Sequence, residues 1–339
     1  LAETMGGMSK RVGIIGVGLL GGALGQRLAG QGWGVLGHDP AVSELGGLTM
    51  CGSAVELAGR CDTLLLSLPT SAVAAEVIGA LGQAVTAQHL ILDTTTGEPV
   101  EMEALGQALA DLGAAYLEAN VAGSSKLARH GEAVLFLGGA AETINRCEAL
   151  LETLATIRFH VGTVGAASRF KLVHNLILGL NRAALAEGLA FAEALGFDAS
   201  NALAILSETP ATSAALEAKG EKMAKRDFNP PQARLSQHLK DVRLIRQLAD
   251  EIGAATPLSD AHQTLLKRAE ALGFGESDNA AVIDQLNQSP SFAAHFLAGR
   301  IQLQIRHREQ VGRHFAAFAA HQRLHLGVRG LADPPDRGG

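Results

Sequence analysis

Aromatic side chains make up only 4% of the 339 residues, with one tryptophan and one tyrosine. The net charge is −6. Such a chain lacks the basic, aromatic-bearing face that nucleic-acid binding needs, and no nucleic-acid partner is expected. Cysteine is scarce as well. Cys51, Cys61 and Cys147 form no CxxC, and three thiols cannot all pair, which fits small buried hydrophobes in a reducing cytoplasm. No HExxH, Cys/His quartet or carboxylate cluster is present, so no metal site is expected. The longest apolar runs, such as 63–66, are far too short to cross a bilayer, and no membrane partner is expected. The N-terminal LAETMGGMSK lacks the apolar core of a signal peptide, and residues 1–7 are left out of the expected fold.

What is present is hydrophobic surface, 47% of the residues, enough for two domains with a core each. Residues 11–39 read RVGIIGVGLLGGALGQRLAGQGWGVLGHD. The pattern predicts a short buried strand, Arg11–Ile15, a glycine turn, a helix to Gly30, a second strand, Gly34–His38, and then Asp39. Gly16, Gly18 and Gly21 form GxGxxG. One glycine makes the tight turn, one lets the backbone approach a pyrophosphate, and one lets helix and strand pack closely. Leu19 and Leu20 open the helix whose free N–H groups would meet the phosphates. Asp39, eighteen residues past Gly21, suits the hydroxyls of an adenosine ribose and repels a 2′-phosphate. NAD is therefore expected rather than NADP.

The alternation continues with expected strands at 62–68, 89–92, 133–137 and 157–161, and helices at 98–112 and 141–154. This predicts an α/β class, a Rossmann-type doubly wound parallel sheet, with ligands beyond the carboxyl ends of its strands. Leu68, Pro69 and the threonines at 94–96 stand at such ends. The threonines read equally well as caps of the following helix. Asn120 to Ser125 reads as a loop in which Gly123 and Ser124 offer an N–H and a hydroxyl to a carboxylate.

Beyond residue 164 no strand pattern survives. Helices are expected at 165–195, 199–208, 212–226, 235–252, 258–272 and 278–288, an all-α C-terminal domain joined by the first and longest of them. The expected division is 8–163, 164–290 and an extra helical tail, 291–339, with a disordered end. In that tail His307, His314 and His321 recur every seven residues among arginines, more a solvated face than a metal stripe. The tail's apolar positions suggest packing on a neighbouring subunit. In the long helix Lys171 and Asn175 lie one turn apart on one face. Alone, Lys171 reads as an ordinary solvated lysine.

Separate segments together give the lysine another reading. GVGLLG, the 93–99 stretch DTTTGEP, VAGS at 121–124, the 165–175 stretch GAASRFKLVHN and the pair Lys240-Asp241 resemble the β-hydroxyacid dehydrogenases. The resemblance covers about residues 10–288. It implies that Lys171 is the general acid/base and that Asn175 positions it or the substrate hydroxyl. It further implies that Gly16, Gly18, Leu19, Leu20, Gly21, Asp39, Leu68, Pro69, Thr96 and Lys240 line the cofactor. Thr95, Gly123 and Ser124, with Lys171 and Asn175, would contact a small carboxylic-acid substrate. Homodimers or homotetramers are expected. The segment departs from the family pattern at Ala122, where serine is usual, at Ala167, where glycine is usual, and near Gln232, where an aromatic is usual. Three rivals are an imine reductase on the same scaffold, against which Lys171 counts, a non-catalytic dinucleotide-binding or oligomerisation protein, and a sugar-acid phosphate dehydrogenase, against which the lack of an arginine set for a phosphate ester counts.

Overall fold

The computed structural model describes residues 10–287, so the expected tail at 291–339 lies outside the described residues. The first half holds eight strands: β1 (Arg11–Ile15), β2 (Gly34–His38), β3 (Thr49–Met50), β4 (Thr63–Leu66), β5 (Leu90–Asp93), β6 (Ala115–Ala122), β7 (Val134–Gly138) and β8 (Ile157–Gly162). Between them run α1 (Leu19–Gly30), α2 (Ala54–Ala58), α3 (Ser71–Leu81), α4 (Pro99–Asp111), α5 (Ser125–His130), α6 (Ala141–Arg146) and α7 (Glu148–Leu154). The strands form one sheet in the order β3-β2-β1-β4-β5-β6-β7-β8. All neighbours are parallel except β6 and β7.

Apolar side chains alternate to the two faces and bury under helices on both. Leu24, Leu28, Leu150 and Leu154 cover one face against Ile14 and Leu65. Leu57, Ile78, Met102 and Leu109 cover the other against Leu64 and Ile91. Strand order reverses beside β1, which pairs β2 on one side and β4 on the other, and this opens a crevice past their carboxyl ends.

The second half is all helix: α8 (Ala166–Ala194), α9 (Ala199–Ser207), α10 (Ala214–Lys225), α11 (Leu235–Ile252), α12 (Pro257–Ala269) and, after a 3₁₀ turn at Asn279–Ile283, α13 (Asp284–Asn287). Its core packs Leu189, Met223, Leu239, Leu266 and Ile283. Among the described residues no helix is long and apolar enough to cross a membrane.

Five expectations change. Where a helix is expected at 278–288, the described residues form a 3₁₀ turn, Asn279–Ile283, followed by the short α13. The loop expected at 120–125 is instead the end of strand β6 followed by α5. Glu118 and Asn120 break the apolar pattern of AYLEANVA, yet both are fully buried and hydrogen-bonded, so the strand is invisible to hydrophobicity. The single helix at 141–154 is two, broken at Cys147. Strand β3 and helix α2 are too short for a periodic signal. The threonines at 94–96 do not cap α4, whose N-cap is Glu98.

Candidate active site

The glycine turn is shaped for an anion. Gly16 has φ +90°, and a Cβ there would lie 2.4 Å from the Ser67 carbonyl oxygen. A Cβ on Gly21 would fall 1.9 Å from the Gly16 carbonyl oxygen, so helix and strand could not close. Gly18 is different: a Cβ there would meet nothing within 4 Å. Its side faces open space at the N-terminus of α1, where no side chain caps the helix and no acid sits in the first turn. Leu19 is exposed and Leu20 half-buried on that turn. Free N–H groups, the helix dipole and a flat glycine together fit a pyrophosphate.

Asp39 follows the last residue of β2. Its Oδ2 accepts from Val17 N–H at 2.8 Å and its Oδ1 from Ala41 N–H at 2.8 Å, which fixes the carboxylate plane. A cavity of about 400 Å³, lined by His38, Asp39, Pro40, Met50 and Cys51 among others, opens beside it. The carboxylate acceptor and the space fit the hydroxyls of an adenosine ribose.

The other end of the crevice is built from β4, β5 and the helical half. Leu68 N–H donates to Thr95 Oγ1 at 3.2 Å. Thr95 is itself buried; its N–H and hydroxyl hold Asp93, and its carbonyl accepts from Asn120 Nδ2 at 2.6 Å. Burial pushes the Asp93 carboxyl up to about 6, against the pull of Thr95 and Tyr116. Thr95 thus acts as a strut behind Leu68 and Thr96. Lys240, on α11, reaches back to the sheet: its ammonium donates to Thr96 O at 2.6 Å and Pro69 O at 3.3 Å and pairs with Asp241 at 3.0 Å. Gln237 to Pro69 O and Gln247 to Glu98 reinforce the same join. Gly123 is exposed with φ +148°, and the half-buried Ser124 caps α5 by accepting from Leu127 N–H.

Helix α8 enters this junction at a place set by the sheet. Buried Glu118 of β6 accepts from Gly165 N–H and from the Ser168 hydroxyl, each at 2.5 Å, so a carboxylate clamps the first turn of the helix. Phe136 of β7 packs edge-on against Phe170, with ring centroids 4.8 Å apart. One turn past Ser168 lies Lys171, only 7% exposed. It donates no hydrogen bond among the described residues. Burial brings its ammonium down to about 8 from the usual 10.5; the Asp241 charge resists this and the Lys240 charge assists it. The solvated reading of this lysine is therefore excluded. Asn175, also buried, donates Nδ2 to Asp241 Oδ2 at 2.8 Å, and its Oδ1 lies 3.1 Å from His174 Nδ1, which fixes the amide plane.

The structure brings together Leu68, Pro69, Thr96 and Lys240 past the carboxyl ends of β4 and β5, and Lys171, Asn175 and Asp241 on the facing helices. The glycine turn and Asp39 lie past the carboxyl ends of β1 and β2, at the far end of the same crevice. Glu118, Asn120 and Asp93 were missed as supports. Their signal was present as single charged or amide residues inside otherwise apolar strands.

Comparison with known proteins agrees with this geometry. Residues 11–164 match the family model described as the NAD binding domain of 6-phosphogluconate dehydrogenase. Residues 165–286 match that of NAD-binding of NADP-dependent 3-hydroxyisobutyrate dehydrogenase. The chain is 31% identical to L-threonate dehydrogenase of Cupriavidus necator over 81% of its own length and 96% of that protein. It is 28% identical to glyoxylate/succinic semialdehyde reductase 1 of Arabidopsis thaliana over 82% of this chain and 99% of the other. A 3-hydroxyisobutyrate dehydrogenase structure from Mycobacterium tuberculosis superposes with a TM-score of 0.72 at 25% identity, covering 82% of this chain and 99% of that one. With a nicotinamide-cofactor platform on one side of the crevice and a buried lysine on the other, the chain belongs to the β-hydroxyacid dehydrogenase family of NAD(P)-dependent oxidoreductases.

Proposed function

We propose that the chain interconverts a small 3-hydroxy acid and its semialdehyde, with Lys171 moving the proton and NAD as the preferred cofactor. The observation that carries this reading is the Lys171 ammonium, buried at the crevice and brought down to about 8. A bound nicotinamide supplies the hydride acceptor or donor. In oxidation neutral Lys171 takes the hydroxyl proton; in reduction its ammonium returns one to the carbonyl oxygen. Asn175, held by Asp241 and His174, orients the hydroxyl and does not compete for the proton. Gly123 and Ser124 receive the carboxylate, and Thr95 keeps the wall at Leu68 and Thr96 in place. Gly16, Gly18, Leu19, Leu20 and Gly21 hold the pyrophosphate, and Lys240 ties the nicotinamide end shut. Three buried free thiols fit a reducing compartment, and we assign the cytoplasm.

A panel of C3 to C5 hydroxy acids and semialdehydes, assayed with NAD and with NADP, tests this reading. We expect turnover of at least one pair and a preference for NAD of about tenfold or more in kcat/KM, because Asp39 sits where a 2′-phosphate would fall. Asp39→Asn removes that charge and should narrow the preference by about tenfold. A wild-type enzyme that favours NADP would overturn the cofactor assignment.

We also propose a homodimer or homotetramer. One side of α8 presents Phe170, Val173, Ile177, Phe191 and Leu195 to solvent, with Asn181, Ala184 and Gly188 completing the row. Their three- and four-residue spacing makes a continuous seam along a helix about 43 Å long. An apolar row of that length is the mark of an interface. The double variant Ile177→Glu, Phe191→Glu should reduce the mass found by light scattering to that of one chain. An unchanged mass would exclude this face.

A further inference from the structure

Seven polar atoms of the helical half have no hydrogen-bond partner among the described residues; one, Asp241 Oδ1, is ion-paired with the Lys240 ammonium at 3.0 Å, and six have no partner of either kind. These six are Arg182 Nε and Nη1 on α8, His238 Nε2 on α11, His262 Nε2 on α12, Asn279 Oδ1 in the 3₁₀ turn and Gln285 Nε2 on α13. All five residues are buried. Buried polar atoms are nearly always satisfied, and these lie on elements that all pack against α8.

The charge there is positive. Arg182 is 5% exposed and forms no ion pair among the described residues. The carboxylates that feel its field are engaged elsewhere. Asp278 accepts from Lys219 Nζ, Gln232 N–H and Ala280 N–H, and Asp241 accepts from Asn175 and pairs with Lys240. The rings of His238 and His262 lie 5.1 Å apart, centroid to centroid. Both sit on Gly179, where a Cβ would come within 2.7 Å of His238 Nε2 and 2.8 Å of His262 Cε1. Arg182 lies three residues further along α8, helical side chains lean over the preceding turn, and its charge acts on both imidazoles, which puts its guanidinium on their side of the helix. A neutral imidazole still offers one N–H.

We propose that Arg182, His238 and His262 form a binding site for a small monovalent anion between α8, α11 and α12. An unpaired guanidinium in a low-dielectric interior is costly, and an anion of chloride size cancels its charge while using the guanidinium and imidazole donors. The site lies one helical turn beyond Asn175 and is separate from the loop assigned to the substrate carboxylate.

The test compares melting of the full chain in sodium chloride and in sodium methanesulfonate at equal ionic strength, since methanesulfonate is too large to enter and carries no hydroxyl for the substrate site. Chloride should raise Tm saturably, by about 3 °C or more, and the difference should vanish in Arg182→Met. Equal melting in the two salts, or a difference that persists in Arg182→Met, would overturn the site. Should that variant fail to fold, wild-type crystals grown in bromide decide the matter. An anomalous peak within hydrogen-bond distance of Arg182 supports the anion, and density there without anomalous signal shows water and refutes it.

Discussion

Lys171→Met will lower kcat/KM for the preferred substrate by about 10²- to 10⁴-fold, the range that a positioned acid/base contributes. The same variant should be more stable than the wild type near neutral pH. The sign follows from burial. The folded lysine titrates at about 8 and the unfolded one at 10.5, so between those values the unfolded chain holds the extra proton and stability rises with pH. Below about pH 8 the folded chain carries a buried ammonium at a cost of about 3 kcal/mol. Methionine removes that cost and keeps the packing of the stem. Lost activity with a raised Tm therefore separates chemistry from folding; lost activity with a lowered Tm would mean that the lysine is structural. The wild-type pH profiles should mirror each other. Oxidation needs the neutral amine, so its kcat/KM climbs through about pH 8 and levels off. Reduction needs the ammonium, so its kcat/KM is flat below about pH 8 and falls above it. Profiles that do not respond in this range would remove Lys171 from the proton path.

Asp278→Ala should cost about 3–5 kcal/mol and lower Tm by about 10 °C or more. Asp278 is fully buried, and Lys219 Nζ donates to both of its oxygens at 2.8 Å. Burial alone would raise the Asp278 carboxyl. The Lys219 ammonium and the N–H groups of Gln232 and Ala280 outweigh that and hold it below the usual range. Alanine leaves Lys219 charged, buried and without its partner. The double variant Lys219→Met, Asp278→Leu should recover much of the loss, because both charges leave together. The pair also anchors Gln232, near where the family resemblance leads one to expect an aromatic by the substrate: its N–H donates to Asp278 and its Oε1 accepts from Lys219 at 3.3 Å. A single variant melting within about 2 °C of wild type would show that the pair carries little of the fold.

Local pattern revealed most of the platform. The glycine turn, the short apolar strands and Asp39 each announce themselves over a few residues, because backbone approach and periodic burial are short-range demands. Most of the helical half was legible in the same way, since Pro210, Pro257 and the long apolar periodicity of α8 mark its breaks and its spine. Strand β6 was not legible. Its Glu118 and Asn120 make sense only opposite Gly165, Ser168 and Thr95, which lie 25 to 50 positions away.

The amino-acid order by itself determined the class of fold, the glycine turn and the identity of a lone lysine four residues before an asparagine. It could not tell whether that lysine stands in water or in a dry crevice. Folding decided that, because acidity depends on desolvation and on charges brought in from Lys240 and Asp241, more than sixty positions along the chain. The same holds for Arg182, His238 and His262. Each is unremarkable on its own helix, and only the packing of three helices makes them neighbours.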